Sequence, residues 1–138
     1  MTVSTHVLDA SLGRPATEVS VTLSRHGGYA FDRETPDRRW VDEGWVDVES
    51  GATDAEGRHR FGADTPAGTY RLVFGTGAYF AGRGVAAFYP EVIIAFTVPE
   101  PDGPGPDAPV SGGPGRPAPH FHVPLLLSPF SYSTYRGS

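Results

Sequence analysis

The sequence predicts an all-β protein, a two-sheet antiparallel β-sandwich of about eight strands with one short helix. Apolar and polar residues alternate with a period of two in several short segments, which is typical of half-buried strands. Turn-forming residues separate these segments, and the 138-residue chain contains 18 Gly and 14 Pro. The length corresponds to a single domain spanning residues 1–138.

The strands are predicted in chain order from this alternation. The first is Val3–Asp9, and Val19–Leu23 follows with apolar residues alternating with Ser and Thr. The remaining expected strands are Trp45–Val48, Arg58–Phe61, Thr69–Phe74, Val92–Val98, Phe121–Ser128 and Ser131–Arg136. Val92–Val98 is more continuously apolar, which indicates a strand covered on both faces.

Turns and one helix connect these strands. Turn chemistry is concentrated at Leu12–Pro15, Asp54–Gly57 and Pro66–Gly68. Only residues 78–88 have a helical pattern, and Gly82 and Gly84 limit that helix to two or three turns.

Two segments do not follow the strand pattern. Residues 26–44 are polar, rich in arginine and poorly periodic. Residues 99–119 are dominated by proline and glycine, so they lack the backbone donors of a strand and the apolar side chains of a core. We expect a long, mobile surface loop there. A proline-rich ligand for a partner domain is the alternative interpretation.

Composition excludes several classes of function. The chain contains no cysteine, which excludes disulfides, thiolate metal sites and a cysteine nucleophile. A net charge of −5 disfavours nucleic acid as the main partner. The first residues lack the basic start and apolar core of a secretory signal, and no apolar run is long enough to span a bilayer. We therefore expect a cytoplasmic protein that binds neither nucleic acid nor membrane.

Individual polar residues permit both structural and chemical interpretations. His6 lies in a predicted strand, where a histidine is most often structural. His120 and His122 flank Phe121 and project to one face. Such a pair can bind zinc, although no cysteine or carboxylate is nearby to complete a site. Arg58 follows a turn and would ordinarily be a solvated surface residue.

The segment 120–138 is unusual because it combines two histidines, three leucines and several aromatic residues near the C-terminus. Leu125–Leu127, Phe130, Tyr132 and Tyr135 would expose a contiguous apolar surface if the segment were frayed. We therefore expect it to be packed as strands.

Four stretches together resemble the transthyretin-like family. They are Ser4–Asp9 with Gly13–Ala16, Thr53–Arg58, Gly68–Tyr70 with Gly77–Phe80 and Phe88–Val92, and finally the C-terminal stretch. Tyr135-Arg136-Gly137-Ser138 is similar to the terminal tetrapeptide of the family's enzyme branch, the 5-hydroxyisourate hydrolases. Residues 26–44 and 99–119 are longer than the usual connections of the family.

The resemblance implies a set of site residues. The catalytic roles of the enzyme branch fall on His6, Arg58, His122 and Ser138, and substrate-binding roles fall on Tyr135, Arg136 and Gly137. It assigns no proton-transfer role to His120, and it implies neither a cofactor nor a metal.

The resemblance also implies an activity and an assembly. The activity is hydrolysis of a ring amide of 5-hydroxyisourate in urate catabolism, a branch of purine metabolism, and the assembly is a homotetramer, a dimer of dimers. Two alternatives remain at this point: a non-catalytic transthyretin-like protein that binds a small molecule, and a β-sandwich interaction module.

Overall fold

The computed structural model of the protein describes residues 1–34, 39–100 and 119–138. Within these ranges the chain forms eleven strands and one helix. The strands are β1 (Thr2–Asp9), β2 (Arg14–Pro15), β3 (Ser20–His26), β4 (Tyr29–Phe31), β5 (Trp40–Asp42), β6 (Trp45–Ala52), β7 (Arg58–Arg60), β8 (Gly68–Phe74), β9 (Val92–Val98), β10 (His120–Ser128) and β11 (Ser131–Thr134). The helix α1 spans Thr76–Ala81 and lies between β8 and β9.

The first sheet has the order β11-β10-β1-β2, and β7 also pairs with β1. The second sheet has the order β6-β3-β8-β9. The predicted all-β fold with two main sheets and one short helix is confirmed. One pairing differs from the expected antiparallel pattern, because β1 and β10 run parallel. Their direction is not set by a hairpin, since most of the chain lies between them.

The hydrophobic core contains residues from both sheets. Alternate residues of β1 and β10 point into it, including Val3, Val7 and Leu125. The second sheet contributes Leu23, Leu72 and Phe74 among others. Sandwich cores form in this way, because the inner faces of two sheets interdigitate. The first sheet therefore keeps one face in the core and leaves the other face available for a site.

The helix is shorter and begins earlier than the sequence predicts. It ends at Ala81, and the Gly82 N–H donates to the carbonyl of Ala78 at 3.0 Å. The following residues turn rather than continue the helix. Within the described ranges, no helix has the length and apolar character needed to cross a membrane.

Two expectations about individual segments need correction. Residues 26–44 contain the short hairpin β4–β5, in which the rings of Phe31 and Trp40 pack with centroids 5.4 Å apart. Strand β9 is covered on one face only, and Ile93 is 45% exposed. The predicted loop 99–119 falls mostly on residues 101–118, which lie outside the described residues, so its mobility stays a prediction.

Candidate active site

Three neighbouring strands of the first sheet build a polar face. Along β1 the odd-numbered residues are buried, so Thr2, Ser4 and His6 project to the other face. In the β1–β10 pair Ser4 lies beside His122. In the β1–β7 pair His6 lies opposite Arg58. Because residues opposite one another share a face, β1 brings these side chains together from distant parts of the sequence.

Arg58 is held by the tight turn that precedes β7. Asp54 Oδ1 accepts the backbone N–H groups of Glu56 and Arg58, both at 2.9 Å. Gly57 adopts a left-handed φ of 76°, and a side chain there would collide with the carbonyl oxygen of Val7. The two backbone hydrogen bonds, with the charge of Arg58, hold the pKa of Asp54 below its ordinary value.

His6 is anchored to the same turn through one ring nitrogen. Its Nε2 lies 2.9 Å from the carbonyl oxygen of Glu56. A carbonyl oxygen only accepts, so Nε2 is the donor, and in the neutral ring Nδ1 keeps its lone pair. His6 is therefore oriented with an unprotonated nitrogen in its neutral form.

His122 is fixed on two sides. Its Nδ1 lies 2.8 Å from the hydroxyl oxygen of Ser4. Its carbonyl oxygen accepts the backbone N–H of Gly137 at 2.8 Å, which brings the C-terminal tail against the ring. Within the described residues no hydrogen bond engages Nε2, so this nitrogen is available to a ligand.

The electrostatic surroundings favour neutral histidines on β10. Burial, and then the nearby charges of His6, Arg58 and His120, lower the pKa of His122. Burial, with the charge of Arg60, lowers the pKa of His120. At neutral pH these shifts favour the unprotonated ring that a general base requires.

These groups border an open cleft of about 560 Å³. Three of the four predicted catalytic residues line it: Arg58, His122 and Ser138. His6 is not part of the lining and instead lies opposite Arg58 in the strand pair. The structure thus brings the four predicted residues to one region of the sheet.

The predicted substrate-binding residues divide between two places. Gly137 contacts His122 beside the cleft. Tyr135 and Arg136 line an adjoining, more apolar cavity of about 280 Å³, which His122 also borders. The Arg136 guanidinium lies 5.1 Å from the ring centroid of Phe121, a cation–π distance.

Sequence reasoning missed several residues that line the cleft: Ser4, Asp54, His59 and Arg60. For two of them a signal existed. Ser4 and Arg60 are each two residues from a predicted catalytic residue on a strand, and the period of two places them on the same face. His59 and Asp54 offered no comparable pattern.

Among the residues that the structure describes, no group of three or more His, Asp or Glu side chains is arranged to hold a metal ion. The pair His120 and His122 therefore finds no third ligand there. The groups that are present can instead move protons and bind negative charge, because neutral imidazoles accept protons and Arg58 supplies fixed donors.

Comparison with protein families gives one match that covers most of the chain. A family model described as the HIUase/Transthyretin family matches residues 3–105 and 109–137. The chain is 36% identical over 140 residues to a 5-hydroxyisourate hydrolase of Mus musculus, which covers 99% of this chain and 94% of that protein.

Solved structures include both branches of this family. The fold is similar to that of Klebsiella pneumoniae 5-hydroxyisourate hydrolase, with a TM-score of 0.69, 34% identity and 100% coverage of both chains. It is also similar to transthyretin from Sparus aurata, with a TM-score of 0.68 and 30% identity, covering 98% of this chain and 95% of that one. Because the TM-scores to the hydrolase and to the transthyretin are nearly equal, the fold alone does not distinguish the two functions.

Proposed function

The chain belongs to the HIUase/Transthyretin family, and from that premise we propose that it is a 5-hydroxyisourate hydrolase. The reaction opens a ring amide of 5-hydroxyisourate and gives 2-oxo-4-hydroxy-4-carboxy-5-ureidoimidazoline in urate catabolism. Curated relatives that match nearly the whole chain carry this enzyme name, including the proteins from Mus musculus and Caulobacter vibrioides.

The observation that favours the enzyme over the binding protein is the neighbourhood of Arg58 and His122. Both line one cleft, and His6 lies opposite Arg58 in the β1–β7 pair. A pocket that only binds an apolar ligand does not require an arginine and two histidines close together. A histidine in a cleft with a lowered pKa, as at His122, is typical of acid–base catalysis.

The proposed roles follow from the chemistry of amide hydrolysis. A histidine removes a proton from water while the water oxygen bonds to the ring carbonyl carbon. The C–N bond then breaks, and the departing nitrogen takes a proton from an imidazolium. Arg58 binds the carbonyl oxygen as negative charge develops on it. Ser138 positions water or substrate at the end of the cleft, and Tyr135, Arg136 and Gly137 bind substrate or shape its site.

The direct test is a spectroscopic assay of freshly generated 5-hydroxyisourate with and without the protein. We expect decay of the substrate signal to be accelerated in proportion to protein concentration, with no added metal or cofactor. The alternative function, small-molecule binding without catalysis, would instead give saturable binding and an unchanged decay rate.

We extend the proposal to the assembly. Large apolar side chains remain exposed on one protomer around β11, among them Phe88, Phe130 and Tyr135, which are 70%, 68% and 59% exposed. Contiguous exposed apolar surface of this kind favours burial against another copy of the chain. A homotetramer, a dimer of dimers with sites between dimers, would cover it. Light scattering at micromolar concentration should give four times the protomer mass, and a monomer would contradict the proposal.

We also propose a domain organisation and a cellular location for the protein. Residues 1–138 are proposed to form one domain, because residues from both sheets share one core. A single cooperative unfolding transition is the expected signature. The proposed location is the cytoplasm, which cell fractionation would test.

A further inference from the structure

The geometry points to a positioning role for Ser4, a residue that couples the protonation of His120 to that of His122. Through this coupling Ser4 selects which ring nitrogen of His122 carries the proton. The inference rests on the proposed function, in which His122 is a catalytic residue, and it adds a residue that acts through the orientation and tautomer of His122.

Four side chains form one continuous hydrogen-bonded row across β1 and β10. Thr2 Oγ1 lies 2.6 Å from Nδ1 of His120, and Nε2 of His120 lies 2.7 Å from the hydroxyl oxygen of Ser4. The same Ser4 oxygen lies 2.8 Å from Nδ1 of His122. The parallel register produces this row, because Thr2 lies beside His120 and Ser4 beside His122.

Among the described residues the Ser4 hydroxyl contacts no acceptor besides these two ring nitrogens, so its single proton is assigned to one of them. Ser4 then accepts a hydrogen bond from the other imidazole. If Ser4 donates to His120 Nε2, then His122 Nδ1 donates to Ser4, and both rings are protonated on Nδ1. If Ser4 donates to His122 Nδ1, both rings are protonated on Nε2. The two neutral histidines therefore adopt the same tautomer, and the row has two states.

Only one of these states suits a general base at Nε2 of His122. With the proton on Nδ1, Nε2 has a free lone pair and faces no partner among the described residues. When Nε2 takes a proton from water, the resulting imidazolium still donates Nδ1–H to the Ser4 oxygen. The departing nitrogen of the substrate then takes the Nε2 proton, and the row returns to its starting state.

The Ser4 hydroxyl is well placed for this role. It lies at hydrogen-bonding distance from two imidazoles at once, and Ser4 is part of the cleft lining. Both histidines also have lowered pKa values, so both are expected to be neutral together near pH 7. A hydroxyl that only packed against the strand would not be expected to lie within hydrogen-bonding distance of two imidazole nitrogens.

The kinetic test compares Ser4→Ala, which removes the hydroxyl, with Ser4→Thr, which keeps it. We expect Ser4→Ala to lower kcat about tenfold or more with little change in KM, because substrate binding is left intact while His122 loses its orientation. Ser4→Thr should retain most of the wild-type kcat. Ser50→Ala is the matched control, because Ser50 is exposed on the second sheet and its hydroxyl, within the described ranges, forms a hydrogen bond only with Thr22, at 3.0 Å.

The second test is independent of activity and uses protein labelled with ¹⁵N-histidine. Long-range nitrogen–proton spectra of the wild type should show His120 and His122 in the same tautomer. In Ser4→Ala the two tautomer populations should become independent, whereas Ser50→Ala should leave both unchanged. Opposite tautomers in the wild-type protein would overturn the proposal even if Ser4→Ala failed to fold.

The outcomes separate this inference from the proposed function. If His122→Ala abolishes turnover while Ser4→Ala leaves kcat and the tautomers unchanged, the positioning role is wrong and the hydrolase assignment stands. If wild-type protein fails to accelerate substrate decay, the proposed function is wrong, and the tautomer spectra still decide whether Ser4 couples the two histidines.

Discussion

The backbone of Gly137 lies directly against the imidazole of His122. Its N–H donates to the His122 carbonyl oxygen at 2.8 Å, and a methyl group on Gly137 would lie 2.5 Å from Cδ2 of that ring. The φ of Gly137 is not in the left-handed region, so the constraint is one of space alone. A residue without a side chain is required here because the tail passes so close to His122.

Gly137→Ala should therefore displace either the tail or the imidazole and lower kcat/KM. We expect a loss of about tenfold or more, since a small misplacement of a catalytic group can cost up to a hundredfold. The melting temperature should change little. Gly62→Ala is the matched control, because in the part of the chain that the structure describes a methyl group at Gly62 would contact only Glu49 Oε1, at 3.8 Å. Equal activity of Gly137→Ala and wild type would show that the close approach has no functional consequence.

Single substitutions should separate the proposed catalytic residues from their neighbours. His6→Ala, Arg58→Ala and His122→Ala should each lower turnover by at least roughly a hundredfold, the usual scale for losing an acid–base group or a donor to the developing oxyanion. His120→Ala should cost much less, since it reaches His122 only through a hydroxyl. His26→Ala, which removes a hydrogen bond to Asp42 of the β4–β5 hairpin, should leave activity unchanged. A damaging His120→Ala with a nearly silent His122→Ala would contradict these roles.

The lowered pKa of His122 predicts where activity is lost in acid. A base fails once it is protonated, and a lowered pKa moves that protonation to a pH below about 6.5, the value for a free imidazole. The acid limb of kcat/KM should therefore have its midpoint below that pH. The unfolded chain protonates this ring first, so the free energy of unfolding should also fall as the pH drops below about 6.5. An NMR titration of the His122 ring that gave a midpoint at or above 6.5 would contradict the prediction.

Most strands are predicted correctly because the alternation of apolar and polar residues is a local property of each segment. The alternation in Val19–Leu23 and Thr69–Phe74 depends only on which side chains face the core, and both segments are strands in the structure. The hairpin β4–β5 was missed because its side chains are exposed, so burial imposes no period on the sequence.

The pairing of strands could not be predicted from local pattern. The parallel direction of β10 on β1 depends on how the chain returns between the sheets, which no segment encodes by itself. The resemblance supplied His6, Arg58 and His122, but only the register shows that Ser4 stands between His120 and His122. The period of two indicates that Ser4 shares a face with His6, but its histidine partners are known only once the strands are paired.

A buried pair outside the site gives a test of stability. The Tyr79 hydroxyl donates to Asp9 Oδ2 at 2.7 Å, and both residues are buried. Burial, and then the bond to Asp9, raises the pKa of Tyr79 to about 12. Burial would raise the pKa of Asp9 as well, but its hydrogen bonds with Ser11, Tyr79 and Leu12 outweigh burial and lower it.

Tyr79→Phe should lower the free energy of unfolding by about 1.5–3 kcal/mol at neutral pH, the range for hydrogen bonds to charged groups. Tyr70→Phe is the control and should cost less, because its hydroxyl donates to a neutral acceptor, the Pro66 carbonyl at 2.7 Å. A group with a lowered pKa stabilises above its ordinary value of 3.8 and loses that stabilisation in acid. Denaturant titrations should show the effect of Tyr79→Phe shrinking below about pH 4, and a pH-independent effect would mean that the charge of Asp9 is not involved.

Removal of Gly137 and Ser138 tests whether the tail belongs to the site or to the scaffold. Strand β11 ends at Thr134, so its pairing with β10 and the exposed rings of Phe130 and Tyr132 survive the deletion. The deletion removes the isolated β-bridge between Gly137 and His122, and it removes Ser138 from the lining of the cleft. We therefore expect turnover to fall sharply while light scattering still gives the oligomer of the full chain. If the oligomer were lost together with activity, the tail would be part of the scaffold, and its proposed role at the cleft would be wrong.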